Sequence, residues 1–243
     1  MKVSLFVTCI VDQMFPQVGV ATVEVLRRLG AEVSFNPDQT CCGQPAFNTG
    51  YREEARGVAS RTVELLEREL ESSDYVVAPS GSCVSMIKKF YPELFAGDPE
   101  MKQRAERIGD RVFEFSQFLT HVLGIEATGA AYSGKITYHD SCHLLRELGV
   151  SKEPRNLIKS VQGAELVEMD RPDACCGFGG TFSIKFPEIS TAIDAEKLAS
   201  IRRSGAGTVV ACDSSCLMQI NGLMERQGIP VRCMHIAELL NSQ

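Results

Sequence analysis

The 243-residue chain lacks the features that would place it on a nucleic acid or in a bilayer. It has no Lys/Arg cluster, and its formal net charge of -6 leaves no basic surface for a phosphate backbone. Its longest apolar start, Val3 to Val11, is broken by Ser4 and Thr8 and stopped by Asp12. That is far short of a transmembrane segment, and no small-residue cleavage site follows it. A cytoplasmic protein is the expectation. No low-complexity tract interrupts a composition of 44% hydrophobic and 23% charged residues, as a folded globular protein requires. Neither a strand-borne G-x-G-x-x-G nor a G-x-x-x-x-G-K-S/T run is present, so Gly177 to Gly180 make a weak case for a phosphate cradle. The run C-x2-C-x2-C-x3-C-P is also missing. The sequence therefore offers no ferredoxin-type ligand run.

What the chain has is cysteine, ten in all, and eight of them follow a duplicated pattern. Cys41-Cys42-Gly43 and Cys175-Cys176-Gly177 each have one cysteine far before and one far after, Cys9 and Cys83 in the first half and Cys142 and Cys216 in the second. The gaps are 31 and 32 residues before the pair, and 40 and 39 after it. The chain reads as two copies of one module, residues 1–130 and 131–243, each gathering thiolates at one point. In a reducing compartment such cysteines are metal ligands or redox thiols rather than disulfides.

The segments around the cysteines repeat as well. Lys2 to Thr8 reads as a strand delivering Cys9 at its end, followed by a helix over Val18–Leu29 and a strand at Glu32–Phe35. Apolar positions from Ala55 to Leu70 mark an amphipathic helix over Arg52–Glu71. Tyr75–Ala78 and Thr208–Ala211 are matching strands leading to Cys83 and Cys216. The second half continues with a strand at Ile136–Tyr138, a helix near Arg155–Val161, a strand at Glu165–Val167 and a helix over Ile189–Arg203. Val231–Leu240 resembles Val112–Leu123, as if each module ends alike, and Gly129–Gly134 is the expected boundary. Strands alternating with helices give the fold class: α/β, two similar three-layer lobes with mainly parallel sheets.

In such sheets ligands gather at the carboxyl ends of strands, which brings the distant cysteines together. Crowded thiolates repel and need a cation or cluster to persist. The one-two-one spacing is unlike the two short knuckles of a zinc ribbon, and adjacent cysteines suit a multi-iron cluster. Zinc and bare redox thiols stay open on these grounds. His139, Asp140 and His143 flank Cys142 as hydrogen-bond partners of the site, with a ligand or proton-relay role the alternative. His121 and His235 read as satisfied polar groups and Cys233 as a core cysteine. Cys212, four residues before Cys216, is a candidate fifth ligand. Arg146 and Lys185 lie near the cysteines in sequence, but such residues are usually solvated.

A lone cysteine, a Cys-Cys-Gly and a distal cysteine, occurring twice, resemble the cysteine-rich CCG domain. That domain is found in the B subunit of heterodisulfide reductase and in the iron–sulfur subunits of glycolate oxidase and anaerobic glycerol-3-phosphate dehydrogenase. CCGQPAFNTGY from Cys41, PSGSC from Pro79, CCGFGGTFSIK from Cys175 and MHIAELLNS from Met234 are most similar to the lactate utilization protein A family, over essentially the whole chain. The resemblance implies a cytoplasmic, non-autonomous redox subunit that helps convert L-lactate to pyruvate. It also implies two partner subunits, one with ferredoxin-type clusters. It implies iron–sulfur clusters of the 4Fe–4S type, one or two, held by Cys9, Cys41, Cys42 and Cys83 and by Cys142, Cys175, Cys176 and Cys216. A zinc scaffold subunit and a thiol–disulfide oxidoreductase of heterodisulfide reductase type are the alternatives. The chain departs from the five-cysteine pattern of the reductase: no cysteine lies among Pro79 to Ser82, and three residues separate Cys212 from Cys216.

Overall fold

Short β-branched and apolar runs bounded by turn residues become strands here, because such side chains pack on a pleated, doubly covered surface. The computed structural model describes Met1–Gln243. Its strands are β1 (Lys2–Leu5), β2 (Glu32–Phe35), β3 (Tyr75–Ala78), β4 (Val112–Glu114), β5 (Ala131–Tyr138), β6 (Gln162–Leu166), β7 (Thr208–Ala211) and β8 (Arg232–His235). They form two four-stranded sheets, ordered β2-β1-β3-β4 and β6-β5-β7-β8, with every pairing parallel. The α/β duplication is thus present in the topology. The register repeats too: the Phe6 N–H donates to Val77 O and the His139 N–H to Val210 O, both at 2.9 Å. The halves correspond at a shift of 133 residues, since 139 − 6 and 210 − 77 agree.

Strand parity divides the core. Val3 and Val77 point to one side, into an apolar layer that also takes Ile136, Tyr138 and Val210 from the second sheet. Val76 and Ala78 point outward to the Arg52–Ser72 helix, and Val209 outward to the Pro187–Ser204 helix. Each sheet is covered on both faces, and the lobes share the helical layer between them. The Ile236–Asn241 helix after β8 packs on the first half's Pro16–Arg28 helix, where Arg28 Nη2 donates to Leu240 O at 2.6 Å. The Phe115–Gln117 turn after β4 packs reciprocally on the Lys152–Lys159 helix. At the centre an isolated antiparallel bridge joins Ser80 to Asp213, and 213 − 80 is again 133. Each bridging residue meets its own duplicate.

Two local expectations change. β1 stops at Leu5, and Cys9 instead opens the Cys9–Met14 helix. Cys83, Cys142 and Cys216 likewise lie within the Gly81–Ser85, Cys142–Leu148 and Ser214–Gln227 helices, which the sequence reading left as strand ends and loops. Within the Gly129–Gly134 stretch β5 begins at Ala131 and passes Gly134 with a shift in register.

β4 and β8 end on buried residues that cap the helices after them. Glu114 Oε2 accepts from the backbone N–H groups of Ser116 and Gln117 at 2.9 and 3.1 Å and from Ser116 Oγ, while Oε1 has no partner. Burial, opposed by these bonds, pushes the Glu114 carboxyl up to about 7 from an ordinary 4.5. The unfolded chain therefore gives up this proton first as pH rises. The stability Glu114 contributes is full below about pH 4.5 and lost on the way to about pH 7. Glu114→Gln keeps an acceptor for the cap and removes the titration. Urea unfolding should find the two proteins equal near pH 5 and the variant more stable near pH 8, by on the order of 2–3 kcal/mol. Equal stabilities at the higher pH would refute a raised carboxyl.

Candidate metal centre

The first turn after each Cys-Cys pair is set by glycine. Gly43 and Gly177 sit at φ 85° and 88°, a left-handed conformation that turns the chain sharply after each pair. Their own N–H groups donate to sulfur, Gly43 N to Cys41 Sγ at 3.4 Å and Gly177 N to Cys175 Sγ at 3.3 Å. The same i to i+2 bond thus occurs in both copies. The Cys42 carbonyl accepts from the buried Tyr91 hydroxyl at 2.8 Å, and the Gly177 carbonyl from Ser190 Oγ at 2.8 Å. Thr8, just before Cys9, holds φ 70°, a strained value for a β-branched residue.

The lone and distal cysteines reach the same place from helix starts. Ser80 Oγ accepts from the Cys83 N–H at 3.3 Å, and Asp213 accepts from the N–H groups of Ser215 at 3.3 Å and Ser82 at 2.9 Å. One carboxylate therefore caps a helix from each lobe, which fixes the two distal cysteines relative to each other. Seven of the eight patterned cysteines line one cleft between the lobes: Cys9, Cys41, Cys42 and Cys83 from the first half, and Cys142, Cys176 and Cys216 from the second. Cys175 is exposed beside them, its sulfur held by Gly177 and in hydrogen-bond contact with Cys176.

The thiols interact as strings. In the first half Cys41 takes hydrogen bonds from Cys42 and Cys9, which hold it below an ordinary thiol, while Cys42 also meets Cys83. Those contacts and burial push Cys9 and Cys42 up. In the second half Cys175 pulls Cys176 down, but Cys216 and burial outweigh it and leave Cys176 well above the ordinary range. Burial and then Cys175 raise Cys142. So crowded a set keeps most members protonated until a cation takes their place.

His139 was expected as a neighbour of the site, and the structure gives it a closer position. It is 1% exposed, and neither ring nitrogen makes a well-formed hydrogen bond, the Pro172 carbonyl being the one group that acts on the ring as an acceptor. A ring nitrogen and the sulfurs of Cys176 and Cys216 all lie within 4.8 Å of one another. Burial pushes its pKa down to about 3, so the ring is neutral and has an unprotonated nitrogen to offer. The signal in the sequence was its alignment with Phe6, an apolar strand position.

The other candidates separate. Asp140 is locked to Arg155 at 2.7 and 2.8 Å, and His143 Nδ1 stands 3.6 Å from Cys142 Sγ on the cleft wall. Arg146 acts electrostatically on Cys142 and Cys175, whereas Lys185 lies 5.7 Å from the Tyr51 ring centre. His121 pairs with Glu153 at 2.7 Å at the surface. His235 caps the last helix, its Nδ1 accepting from the Ala237 N–H at 3.1 Å, and the Cys212 and Pro79 carbonyls act on the ring as acceptors. Cys233 is half-buried, pushed up to about 12 by burial. Cys212 is not brought to the cleft. It lies one residue past β7 on the face of Val210, and its thiol meets Tyr138 Oη at 3.3 Å and Ser116 Oγ at 3.8 Å in the shared layer. Strand parity turns it away from Cys216.

Comparison with known proteins matches the CCG cysteine-rich domain to residues 3–88 and 136–221. Lactate utilization protein A of Exiguobacterium sp. strain AT1b is 48% identical over 240 residues, 99% of this chain and 97% of that protein. The protein of the same name from Geobacillus sp. strain WCH70 is 47% identical over 243 residues, with all of both chains covered. Among solved structures, a hypothetical protein from Helicobacter pylori aligns with TM-score 0.59 at 9% identity. The alignment covers 98% of this chain and 48% of that one, so this chain spans about half its length, and the likeness is one of fold.

Proposed function

The chain belongs to the CCG family of cysteine-rich-domain proteins, together with the lactate utilization A proteins, and from that premise we propose that it is a redox subunit of a system oxidising L-lactate to pyruvate. Cys9, Cys41, Cys42 and Cys83 hold one iron–sulfur cluster, and Cys142, Cys175, Cys176 and Cys216 hold a second. The observation that carries this reading is the pair of thiol strings meeting at one cleft, each with the same N–H to sulfur bond behind its cysteine pair. A bound cluster supplies acceptance and release of single electrons.

The chain's own residues hold and shield such a group. Gly43 and Gly177 orient Cys41 and Cys175, and Asp213 fixes the two distal cysteines through the helix starts. Buried Cys42, Cys83, Cys176 and Cys216 limit access of water. Lactate oxidation releases two electrons and two protons. With no ferredoxin-type motif in this chain, the electrons pass to or from two partner subunits, one with ferredoxin-type clusters. A cytoplasmic setting suits ten free thiols. No helix is long and apolar enough to cross a membrane. A zinc-filled scaffold is the second reading, favoured by His139 beside Cys176 and Cys216, a donor set zinc accepts.

Protein purified without oxygen should contain iron and acid-labile sulfide and absorb broadly in the visible. Cys176→Ser should lower the iron by about half, since one centre of two loses a ligand. Stoichiometric zinc with a colourless protein would replace the cluster reading with the scaffold.

A further inference from the structure

Beneath the second thiol string the duplicated scaffold has exchanged an apolar lining for a polar one. The matching bonds to Val77 O and Val210 O set Phe6 opposite His139. In the long helices Ala55, Ala59, Thr62 and Leu66 are buried on one side, and Ser190, Asp194, Lys197 and Ile201 on the other. Their common shift, 194 − 59 = 135, places Asp194 opposite Ala59 and Lys197 opposite Thr62. Lys197 is 1% exposed, and its ammonium acts on Cys176 and Cys216. Nothing in the packing of a strand requires an imidazole at position 139, because the equivalent place is filled by a phenyl ring.

His139 is buried with at most the Pro172 carbonyl as a partner for one ring nitrogen, and a ring nitrogen completes a trio with Cys176 Sγ and Cys216 Sγ, all within 4.8 Å. Ligands at about 2.0–2.3 Å around a tetrahedral metal stand about 3.5 Å apart, so about an ångström of side-chain movement closes this trio on a metal. We propose that His139 is a ligand of the metal group held by the second half, giving that centre a mixed thiolate and imidazole donor set where the first has thiolates alone. The inference rests on the metal-binding reading above.

The test is pulsed electron paramagnetic resonance on the anaerobically purified, chemically reduced protein, with natural and nitrogen-15 histidine. A histidine nitrogen coupled to the cluster should appear and change with the label. It should persist in Cys42→Ser, which disables the first centre, and vanish in His139→Phe, which installs the first half's own residue. His143→Phe, in which the coupling must persist, serves if His139→Phe does not fold. Iron and sulfide in both halves with no histidine coupling, or with a coupling that survives in His139→Phe, would overturn the ligand while leaving the clusters standing. If the protein holds zinc, cobalt(II) exchange decides the same point. Visible bands of mixed sulfur and nitrogen ligation that change in His139→Phe uphold the ligand, and unchanged bands overturn it. A chain that takes up no iron, zinc or cobalt would overturn this inference and the metal-binding reading together.

Discussion

Arg155→Met should cost about 3–5 kcal/mol of folding stability, because it strands a buried carboxylate. Asp140 is 4% exposed, and both its oxygens receive the Arg155 guanidinium, Oδ1 at 2.8 Å and Oδ2 at 2.7 Å. The same guanidinium reaches Glu168 at 2.8 Å and lies 4.9 Å from the centre of the Tyr138 ring. Burial opposes the charge, yet bonding to Asp140 and Glu168 raises Arg155 above its ordinary value. Position 7, the counterpart of Asp140, is Val7, so the scaffold tolerates an apolar residue there. Arg155→Met combined with Asp140→Val should therefore recover most of the loss, as replacement of both partners by apolar groups often does. Chemical denaturation of the two single variants and the double decides the matter. A single-variant loss under about 1 kcal/mol would mean that the pair behaves as a surface ion pair.

Gly177→Ala should lower stability by about 3 kcal/mol, a fall in Tm of roughly 6–12 °C for a chain of this size. A β-carbon there would stand 2.5 Å from Ser190 O, a backbone atom of a long helix, and at φ +88° an L side chain is strained as well. Gly43 separates the two effects. Its φ is +85°, but the nearest atoms to an added carbon are 3.4 Å away, so Gly43→Ala should lose only the conformational share, about 1–2 kcal/mol. Equal losses in the two variants, measured by calorimetry, would remove the steric argument. Because the Gly177 turn aims Cys175 and Cys176, the second centre's metal should fall in the same variant and the first centre's should not.

The sheets were legible because strands such as Tyr75–Ala78 and Thr208–Ala211 carry their signal in four consecutive residues and repeat it. The eight cysteines were legible because spacing survives without any knowledge of geometry. The helices starting at Cys9, Cys142 and Ser214 were not, since strand, loop and first helical turn look alike over a few apolar and small residues. Cys212 misled by proximity: four residues separate it from Cys216, but the last step of a strand and the first turn of a helix send the two thiols to different layers. The layer shared by the lobes was also hidden, because the exchange of the Phe115–Gln117 and Ile236–Asn241 segments depends on long-range packing. At His139 the residue was visible as a flank of Cys142, whereas its place beside the Cys176 and Cys216 sulfurs is a property of the folded interior alone.

The Ser80–Asp213 bridge has a consequence for how such a chain arose. Residues that meet their own copies lie on a two-fold axis, which is the signature of an isologous contact between identical subunits. A half-length ancestor that paired with itself through this bridge and the exchanged terminal helices would have had two thiol sites that were forced to be the same. Joining the halves in one chain released that constraint. Phe6 and His139, Val7 and Asp140, Ala59 and Asp194 are three places where the copies have since parted, all from the half with the apolar residue to the half with the polar one. Two sites once bound to be identical became free to differ, each keeping its cysteines while the residues around them took separate courses.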